Sequence, residues 1–138
     1  MARELPGGFE VDDDPARIDV DAVFDFLANE AYWAKGRPRE TVERLIREAD
    51  RVVGVYEGER QIGFARAFTD GVAVAYLADV YVLPEFRGRQ LGGELVREMI
   101  DNGPYAGIKW LLHTTDAHGL YRKFGFEVPS EKVLERLA

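Results

Sequence analysis

Residues 79–93 read Asp79-Val80-Tyr81-Val82-Leu83-Pro84-Glu85-Phe86-Arg87-Gly88-Arg89-Gln90-Leu91-Gly92-Gly93, and this segment sets the architecture of the chain. An apolar strand runs into Pro84, a loop rich in glycine and arginine follows, and an amphipathic helix begins at about Gln90. Glycine lets a backbone approach a ligand closely, and the first turn of a helix presents unpaired N–H groups at its positive dipole end. The segment therefore predicts a cradle for an anion such as a pyrophosphate. The structural alternative is a helix start that uses glycine only for close packing.

On either side of this segment, hydrophobic periodicity and turn residues predict the element order β-α-α-β-β-β-α-β-α-β. The expected strands are residues 8–11, 51–56, 61–69, 72–83, 108–113 and 126–128. Of the expected helices, the first is capped by Asp19, the second has Pro38 in its first turn, the third runs from about Gln90 to Asp101, and the fourth is capped by Asp116 and ends at Gly125. A hairpin meander followed by a β-α-β unit indicates an α/β (α+β) fold with a mixed sheet and helices on its faces.

The composition is typical of one soluble globular domain covering residues 1–138. Hydrophobic residues make up 46% of the chain and charged residues 31%, values that do not indicate disorder. The sequence contains no cysteine, which excludes a disulfide framework, a thiolate metal site and a cysteine nucleophile. No signal-peptide pattern is visible at the N-terminus, so a cytoplasmic location is the expectation.

The formal net charge of -7 excludes whole classes of partner. Nucleic-acid binding needs a basic face that displaces counterions, and surface attachment to a membrane needs a basic amphipathic face. Neither pattern is present, so no nucleic-acid or membrane partner is expected. An acidic protein attracts cationic substrates by electrostatic steering, although the same charge also serves solubility alone.

Two segments resemble the GCN5-related N-acetyltransferases (GNAT). The family's pyrophosphate loop follows the pattern Gln/Arg-x-x-Gly-x-Gly/Ala after a strand, and Arg87, Leu91 and Gly92 match it. Gln90 stands where the pattern has its first glycine, so its side chain must point away from the phosphates or the loop must shift. The second segment, Asp116-Ala117-His118-Gly119-Leu120-Tyr121-Arg122-Lys123-Phe124-Gly125-Phe126, is similar to the family's late helix, which carries a tyrosine shortly before Gly-Phe.

The resemblance implies the GNAT acyl-CoA N-acyltransferase fold, a mixed and mostly antiparallel sheet whose fourth and fifth strands splay apart. It also implies that acetyl-CoA is the co-substrate. The backbone of Val80, Tyr81 and Val82 would bind the pantetheine arm in the slot, with an N–H near Val82 polarising the thioester carbonyl. The pyrophosphate would lie on Arg87, Gly88, Arg89, Gln90, Leu91, Gly92 and Gly93, with Tyr121 near the sulfur.

By the same resemblance, Tyr121 is the general acid that protonates the departing thiolate, or else it only packs against the cofactor. Asp79 is the candidate base, because a carboxylate in an apolar strand must find a partner or face a cleft. It would accept the amine proton, bind a substrate ammonium, or anchor a loop. In several relatives the base is a glutamate one residue earlier, where this chain has Ala78, so a water chain is the alternative.

Substrate recognition is expected from the stretch that follows the first helix. Tyr32 and Trp33 would wall a pocket, and Glu30 or Asp79 would pair with an amine, which suggests a small cationic acceptor. The structural alternative is that the two aromatics only plug the domain. A protein lysine would contradict the small acceptor. The two histidines, His113 and His118, lack partners at metal-ligand spacing, so no metal is expected.

The sequence thus predicts an N-acetyltransferase that moves an acetyl group from acetyl-CoA to a primary amine by direct attack. A non-catalytic acyl-CoA sensor on the same fold is the alternative, since Gln90 is a departure in the cofactor loop. The resemblance leaves a homodimer open.

Overall fold

The computed structural model describes all 138 residues and contains one six-stranded sheet in the order β1-β2-β3-β4-β5-β6. The strands are β1 (Arg3–Leu5), β2 (Phe9–Asp12), β3 (Arg51–Glu57), β4 (Arg60–Thr69), β5 (Val74–Val82) and β6 (Lys109–Leu111). Every neighbouring pair is antiparallel except β5 and β6, which are parallel. The mixed and mostly antiparallel sheet predicted from the sequence is confirmed.

The helices are α1 (Val20–Asn29), α2 (Arg39–Glu48), α3 (Leu91–Met99) and α4 (His118–Arg122), with short 3-10 turns at Pro15–Arg17 and Pro84–Phe86. As predicted, the Asp19 side chain caps α1 by accepting a hydrogen bond from the Ala22 N–H at 3.1 Å. Pro38 lies immediately before α2, where its fixed φ favours helix entry. None of the helices is long and apolar enough to cross a membrane.

The sheet separates two hydrophobic cores, because neighbouring residues of a strand point to opposite faces. On one face Val53 and Val55 pack with Leu95 and Met99 of α3. On the other face the core is built from α1, α2 and the sheet, with buried residues that include Val23, Leu27, Val42, Val52 and Phe64. The second face is where α1, α2 and their connecting loop lie.

A β-bulge interrupts β5 at Asp79. Tyr81 pairs with Phe64 and Ala78 pairs with Arg66, so one residue of β4 faces two residues of β5. Asp79 takes a φ of 54°, in the left-handed region that non-glycine residues seldom occupy. Leu77 consequently lies in the α3 core while Tyr81 lies in the opposite core. A regular strand would have placed both on the same face.

At the chain ends and at α4, two predictions are wrong and one strand was not predicted. Residues 126–128 form no strand, because the Phe126 N–H bonds the Tyr121 carbonyl at 3.2 Å and ties this segment to the end of α4. An additional strand, β1, pairs with β2 through a turn in which Gly7 and Gly8 have positive φ. Asp116 does not cap α4; the Thr114 hydroxyl accepts the Ala117 N–H at 3.1 Å instead.

Candidate functional site

The parallel strands β5 and β6 separate early and leave an opening in the sheet. They pair only from Val74–Lys109 to Tyr76–Leu111, and β6 ends there. From Leu77 to Val82, therefore, no strand lies along this side of β5. Backbone groups left without a strand partner are ready to bind an extended ligand.

A groove of about 560 Å³ begins at this opening and continues to the start of α3. It is lined by most of the residues predicted to bind the cofactor, namely Val80, Tyr81, Val82, Arg87, Gly88, Gln90, Leu91, Gly92, Gly93 and Tyr121. The predicted substrate residues Glu30, Tyr32 and Trp33 line it as well. Arg89 does not, because its guanidinium lies over the rings of Phe9 and Phe86, at 5.9 and 5.6 Å from their centroids.

The loop before α3 has the backbone of a glycine-type anion cradle despite Gln90. Gln90 has a φ of 62° and Gly88 a φ of 80°, so the glutamine adopts the left-handed conformation that suits glycine. A Cβ added at Gly88 or at Gly93 would meet nothing within 4 Å, which leaves room beside the backbone for a ligand. The cradle therefore fits a phosphate group, and the departure from the family pattern affects the side chain rather than the path of the loop.

The electrostatics at the start of α3 also fit an anion. The one acidic residue of the first turn, Glu94, would repel a phosphate. Its carboxylate is paired with Arg3 at 3.0 Å and with Arg97 at 2.6 Å. The positive end of the helix dipole is thus not opposed by a free carboxylate.

A second cleft, of about 410 Å³, lies on the other side of Tyr121. Its lining includes Tyr32, Trp33, Val80, Asp116, Ala117 and Tyr121, all of which also line the first groove. Asp79 lines this second cleft and not the first. We call the first the cofactor groove and the second the acceptor cleft; they meet at Tyr121.

Asp79 lies at the floor of the acceptor cleft with three donors on its carboxylate. Trp33 Nε1 donates to Oδ1 at 2.8 Å, while Arg37 and Arg66 donate to Oδ2 at 3.0 and 2.6 Å. Burial favours the neutral acid, but the arginines Arg66 and Arg37 and the indole N–H hold the pKa of Asp79 below its ordinary value. These contacts favour the anchoring alternative: Asp79 holds the loop between α1 and α2 on the sheet.

The partners Arg37 and Arg66 were missed by the sequence reasoning. The position of Arg66 could have predicted an ion pair. It interrupts the apolar run Ile62 to Ala67 of β4, and a charged residue in a central strand needs a partner. Nothing in the sequence predicted the contact of Arg37, since an arginine in a loop is ordinary. Asp116 was noticed only as a helix cap, yet it lines both the cofactor groove and the acceptor cleft.

The loop between α1 and α2 also contacts the segment before α4. The Tyr32 hydroxyl accepts a hydrogen bond from the Thr115 N–H at 3.2 Å. The Tyr32 and Trp33 rings meet edge to face at 5.1 Å between centroids. The two aromatics are 54% and 41% exposed, so they wall the cleft rather than plug the core.

Tyr121 is buried in α4 between the two clefts. Its ring packs edge to face on Phe126, with the centroids 5.8 Å apart. Burial, with smaller contributions from Tyr32 and Asp116, raises the pKa of the Tyr121 phenol to about 12. The phenol therefore stays protonated at neutral pH, which is the state that a proton donor needs.

Known proteins share this fold and sequence pattern. Residues 19–126 match the model of the Acetyltransferase (GNAT) family. A crystal structure assigned to the GNAT acetyltransferases, from Xanthomonas campestris pv. campestris, is 33% identical with a TM-score of 0.90, covering 98% of this chain and 96% of that one. The peptidyl-lysine N-acetyltransferase YjaB of Salmonella typhimurium is 29% identical over 88% of this chain and 78% of its own length.

A plant enzyme gives a further match. Serotonin N-acetyltransferase 2, chloroplastic, of Oryza sativa subsp. japonica is 30% identical over 91% of this chain and 65% of its own length. Members of the matched family use acetyl-CoA as co-substrate. From the splayed sheet, the anion cradle and these likenesses together, the chain belongs to the GNAT family and is an acetyltransferase.

Proposed function

We propose that this protein transfers the acetyl group of acetyl-CoA to the primary amine of a small, cationic acceptor. The observation that carries the proposal is the meeting of the cofactor groove and the acceptor cleft at Tyr121. Two separate binding spaces that share one wall bring two substrates together, and direct transfer between them needs that proximity.

Different parts of the chain would bind different parts of acetyl-CoA. The open edge of β5 at Val80–Val82 suits the amide groups of the pantetheine arm as an added strand would. The cradle from Arg87 to Gly93 suits the pyrophosphate. When bound, acetyl-CoA supplies an activated thioester. Tyr121 then holds a proton at its phenolic oxygen for the departing sulfur.

The acceptor class follows from the surroundings of the acceptor cleft. The loop bearing Tyr32 and Trp33 is fastened to β5 and to Thr115, which gives the cleft a fixed wall and a limited width that favours a small molecule. Asp79 is already paired, so a cationic amine would be attracted by Asp116, which lines both spaces, and by Glu30, which lines the cofactor groove. Relatives named for peptidyl-lysine and for serotonin both point to an acceptor with a primary amine.

The first experiment measures CoA and acetyl-CoA binding by titration calorimetry. Gly93→Glu places a carboxylate in the cradle without a backbone clash, and Gly107→Glu makes the same change in a distant loop where a Cβ also meets nothing within 4 Å. We expect Gly93→Glu to weaken binding by roughly tenfold or more, the scale of one lost charge-assisted contact. Gly107→Glu should leave the affinity unchanged. Equal affinities for both variants would contradict the groove assignment.

The second experiment separates the enzyme from the acyl-CoA sensor. Thiol release is measured with small diamines, arylalkylamines, amino acids and a lysine peptide, each at equal concentration. Turnover of small cationic amines above the peptide supports the proposal, whereas preference for the peptide contradicts the small acceptor. Binding of acetyl-CoA without thiol release for any amine would indicate the sensor.

A further inference from the structure

A tyrosine, a histidine and a glutamate from three separate parts of the chain lie in a row beside the acceptor cleft. The Tyr76 hydroxyl on β5 contacts Nδ1 of His113, which follows β6. On the other side of the imidazole, Nε2 lies 2.7 Å from Glu135 Oε2 in the C-terminal segment. Neither Tyr76 nor Glu135 was singled out by the sequence, since their proximity depends on the fold.

The row is open to the acceptor cleft. Tyr76 and His113 both line this cleft together with Tyr121. They also line an adjoining apolar cavity of about 320 Å³, and the His113 side chain is 66% exposed. The three groups are therefore not a buried structural network. An acceptor that lies against Tyr121 is in the same cleft as Tyr76.

Packing fixes the orientation of the Tyr76 hydroxyl. The Tyr76 ring stacks on Phe68 at 5.0 Å between centroids and 17° between planes, and it meets the imidazole of His113 at 5.6 Å. The Glu135 carboxylate lies 2.7 Å from Nε2, and its negative charge favours the tautomer that carries its proton there and presents the lone pair of Nδ1 to the phenol. A nucleophile or proton acceptor aligned by a base, itself oriented by a carboxylate, has the same order of roles as a catalytic triad.

Asp116 lines the same cleft and offers a carboxylate without a side-chain partner, but Tyr76 is the group backed by both an imidazole and a carboxylate. Asp79 is occupied by three donors. The titratable and charged groups that line the two cavities with His113 are, besides Tyr76, Tyr32, Arg37, Arg66, Asp79, Asp116, His118, Tyr121, Arg122 and Glu127. Glu135 lies beside the imidazole from the C-terminal segment. Of all these, Tyr76 and Glu135 are the two that contact the imidazole.

We propose that Tyr76, His113 and Glu135 form the proton path for the acceptor amine. This inference rests on the proposed function. Tyr76 is the catalytic residue, because its oxygen meets the amine; His113 and Glu135 are positioning residues that act through it.

The proton count closes over one turnover. The amine attacks in its neutral form, after its ammonium has lost one proton to solvent. Its nitrogen forms a bond to the acetyl carbon, and the carbon–sulfur bond breaks with its electron pair on sulfur. The nitrogen gives one proton to the Tyr76 oxygen as the phenolic proton passes to His113 Nδ1, and Glu135 stabilises the imidazolium. Tyr121 gives its proton to sulfur and regains one from solvent, to which His113 releases its own. The products are the N-acetylated amine and the free thiol of CoA.

The test compares three variants with matched controls. Tyr76→Phe, His113→Gln and Glu135→Gln are paired with Tyr105→Phe, His118→Gln and Glu131→Gln, which make the same changes outside the row. For Tyr76→Phe and His113→Gln we expect kcat to fall by roughly 10²-fold, the range of one lost general base. The CoA affinity should not change, because none of the three residues lines the cofactor groove. The controls should keep the wild-type kcat.

Two further readouts exclude a merely structural role. The pH profile of kcat should differ between the wild type and His113→Gln, because the wild type passes the amine proton to the imidazole whereas only solvent accepts it in the variant. Added imidazole should restore part of the activity of His113→Gly, since the site is exposed. Wild-type kcat and pH profile in His113→Gln would overturn the proton path alone. A wild-type protein that binds CoA yet acetylates no amine would overturn the proposed function as well.

Discussion

Trp33 and Asp79 are joined by a hydrogen bond of 2.8 Å, which fastens the loop between α1 and α2 to the bulge in β5. The same carboxylate holds Arg37 of that loop and Arg66 of β4. One buried side chain therefore positions the wall of the acceptor cleft relative to the strand that lines the cofactor groove. These contacts favour the anchoring role of Asp79 over its role as a base.

Asp79→Asn is expected to destabilise the fold strongly. The variant keeps an acceptor for Trp33 but leaves the two arginines Arg37 and Arg66 without their carboxylate, and breaking a buried ion pair costs roughly 3–5 kcal/mol. Chemical denaturation should show this loss in the free energy of unfolding. Asp70→Asn is the matched control, because that exposed carboxylate bonds only turn N–H groups. A loss no larger than the control's would contradict the anchoring role.

Because of the same carboxylate, we expect the free energy of unfolding to fall at acid pH. The pKa of Asp79 in the folded protein lies below its unfolded value, so its contribution is present above the unfolded pKa, near 3.9, and is lost as pH falls through the folded pKa. The free energy of unfolding of the wild type should therefore fall more steeply than that of Asp79→Asn below about pH 4. Parallel curves for the two proteins would contradict this linkage.

Tyr32→Phe tests the contact between the two loops that wall the acceptor cleft. The substitution removes the acceptor of the Thr115 N–H but keeps the aromatic ring against Trp33. We expect KM for the amine to rise by about fivefold, since one exposed hydrogen bond contributes roughly 1 kcal/mol, while KM for acetyl-CoA stays constant. Equal changes in both KM values would place the loop on the cofactor side instead.

The sequence predicted the elements that depend on neighbouring residues and missed those that depend on register. The hairpin of β3 and β4 and the helix after the cradle follow from local turn chemistry and periodicity, and both were correctly predicted. The bulge at Asp79 was not, because it exists only when β5 pairs with Arg66 of β4. The prediction of a final strand at residues 126–128 was wrong because the Phe126 N–H donates to the Tyr121 carbonyl. The candidate cofactor residues from Val80 to Gly93 could be proposed from the sequence because they lie close together along the chain, whereas His113 and Glu135 meet only through the fold.

Gln90→Gly tests the conformation of the cradle. Gln90 has a φ of 62°, and a left-handed conformation costs a non-glycine residue roughly 1–2 kcal/mol, part of which glycine offsets by its own greater freedom when unfolded. We expect the free energy of unfolding to rise by about 0.5–1 kcal/mol and the affinity for CoA to stay equal or increase. A destabilised variant would show that the Gln90 side chain contributes contacts that outweigh the strain.

Tyr121→Phe isolates the proton donor from the packing around it. Phenylalanine keeps the edge-to-face contact with Phe126, so the fold and the affinity for acetyl-CoA should be retained. Without the phenol the thiolate must leave unprotonated or take its proton from water, and we expect kcat to fall by roughly 10²-fold.

The Tyr121 pKa of about 12 also has a consequence for stability. Folding favours the protonated phenol, so its contribution is complete below the unfolded pKa, near 10, and declines above it.

The wild type should therefore lose more stability than Tyr121→Phe as pH rises from about 10 towards about 12. Steady-state thiol release gives the first quantity, and denaturation at several alkaline pH values gives the second. A variant with wild-type kcat and a flattened alkaline stability curve would show that the phenol is buried for packing and that water protonates the thiolate. A low kcat with intact acetyl-CoA binding supports the acid role, because the ring that remains has every contact of the original except its hydroxyl.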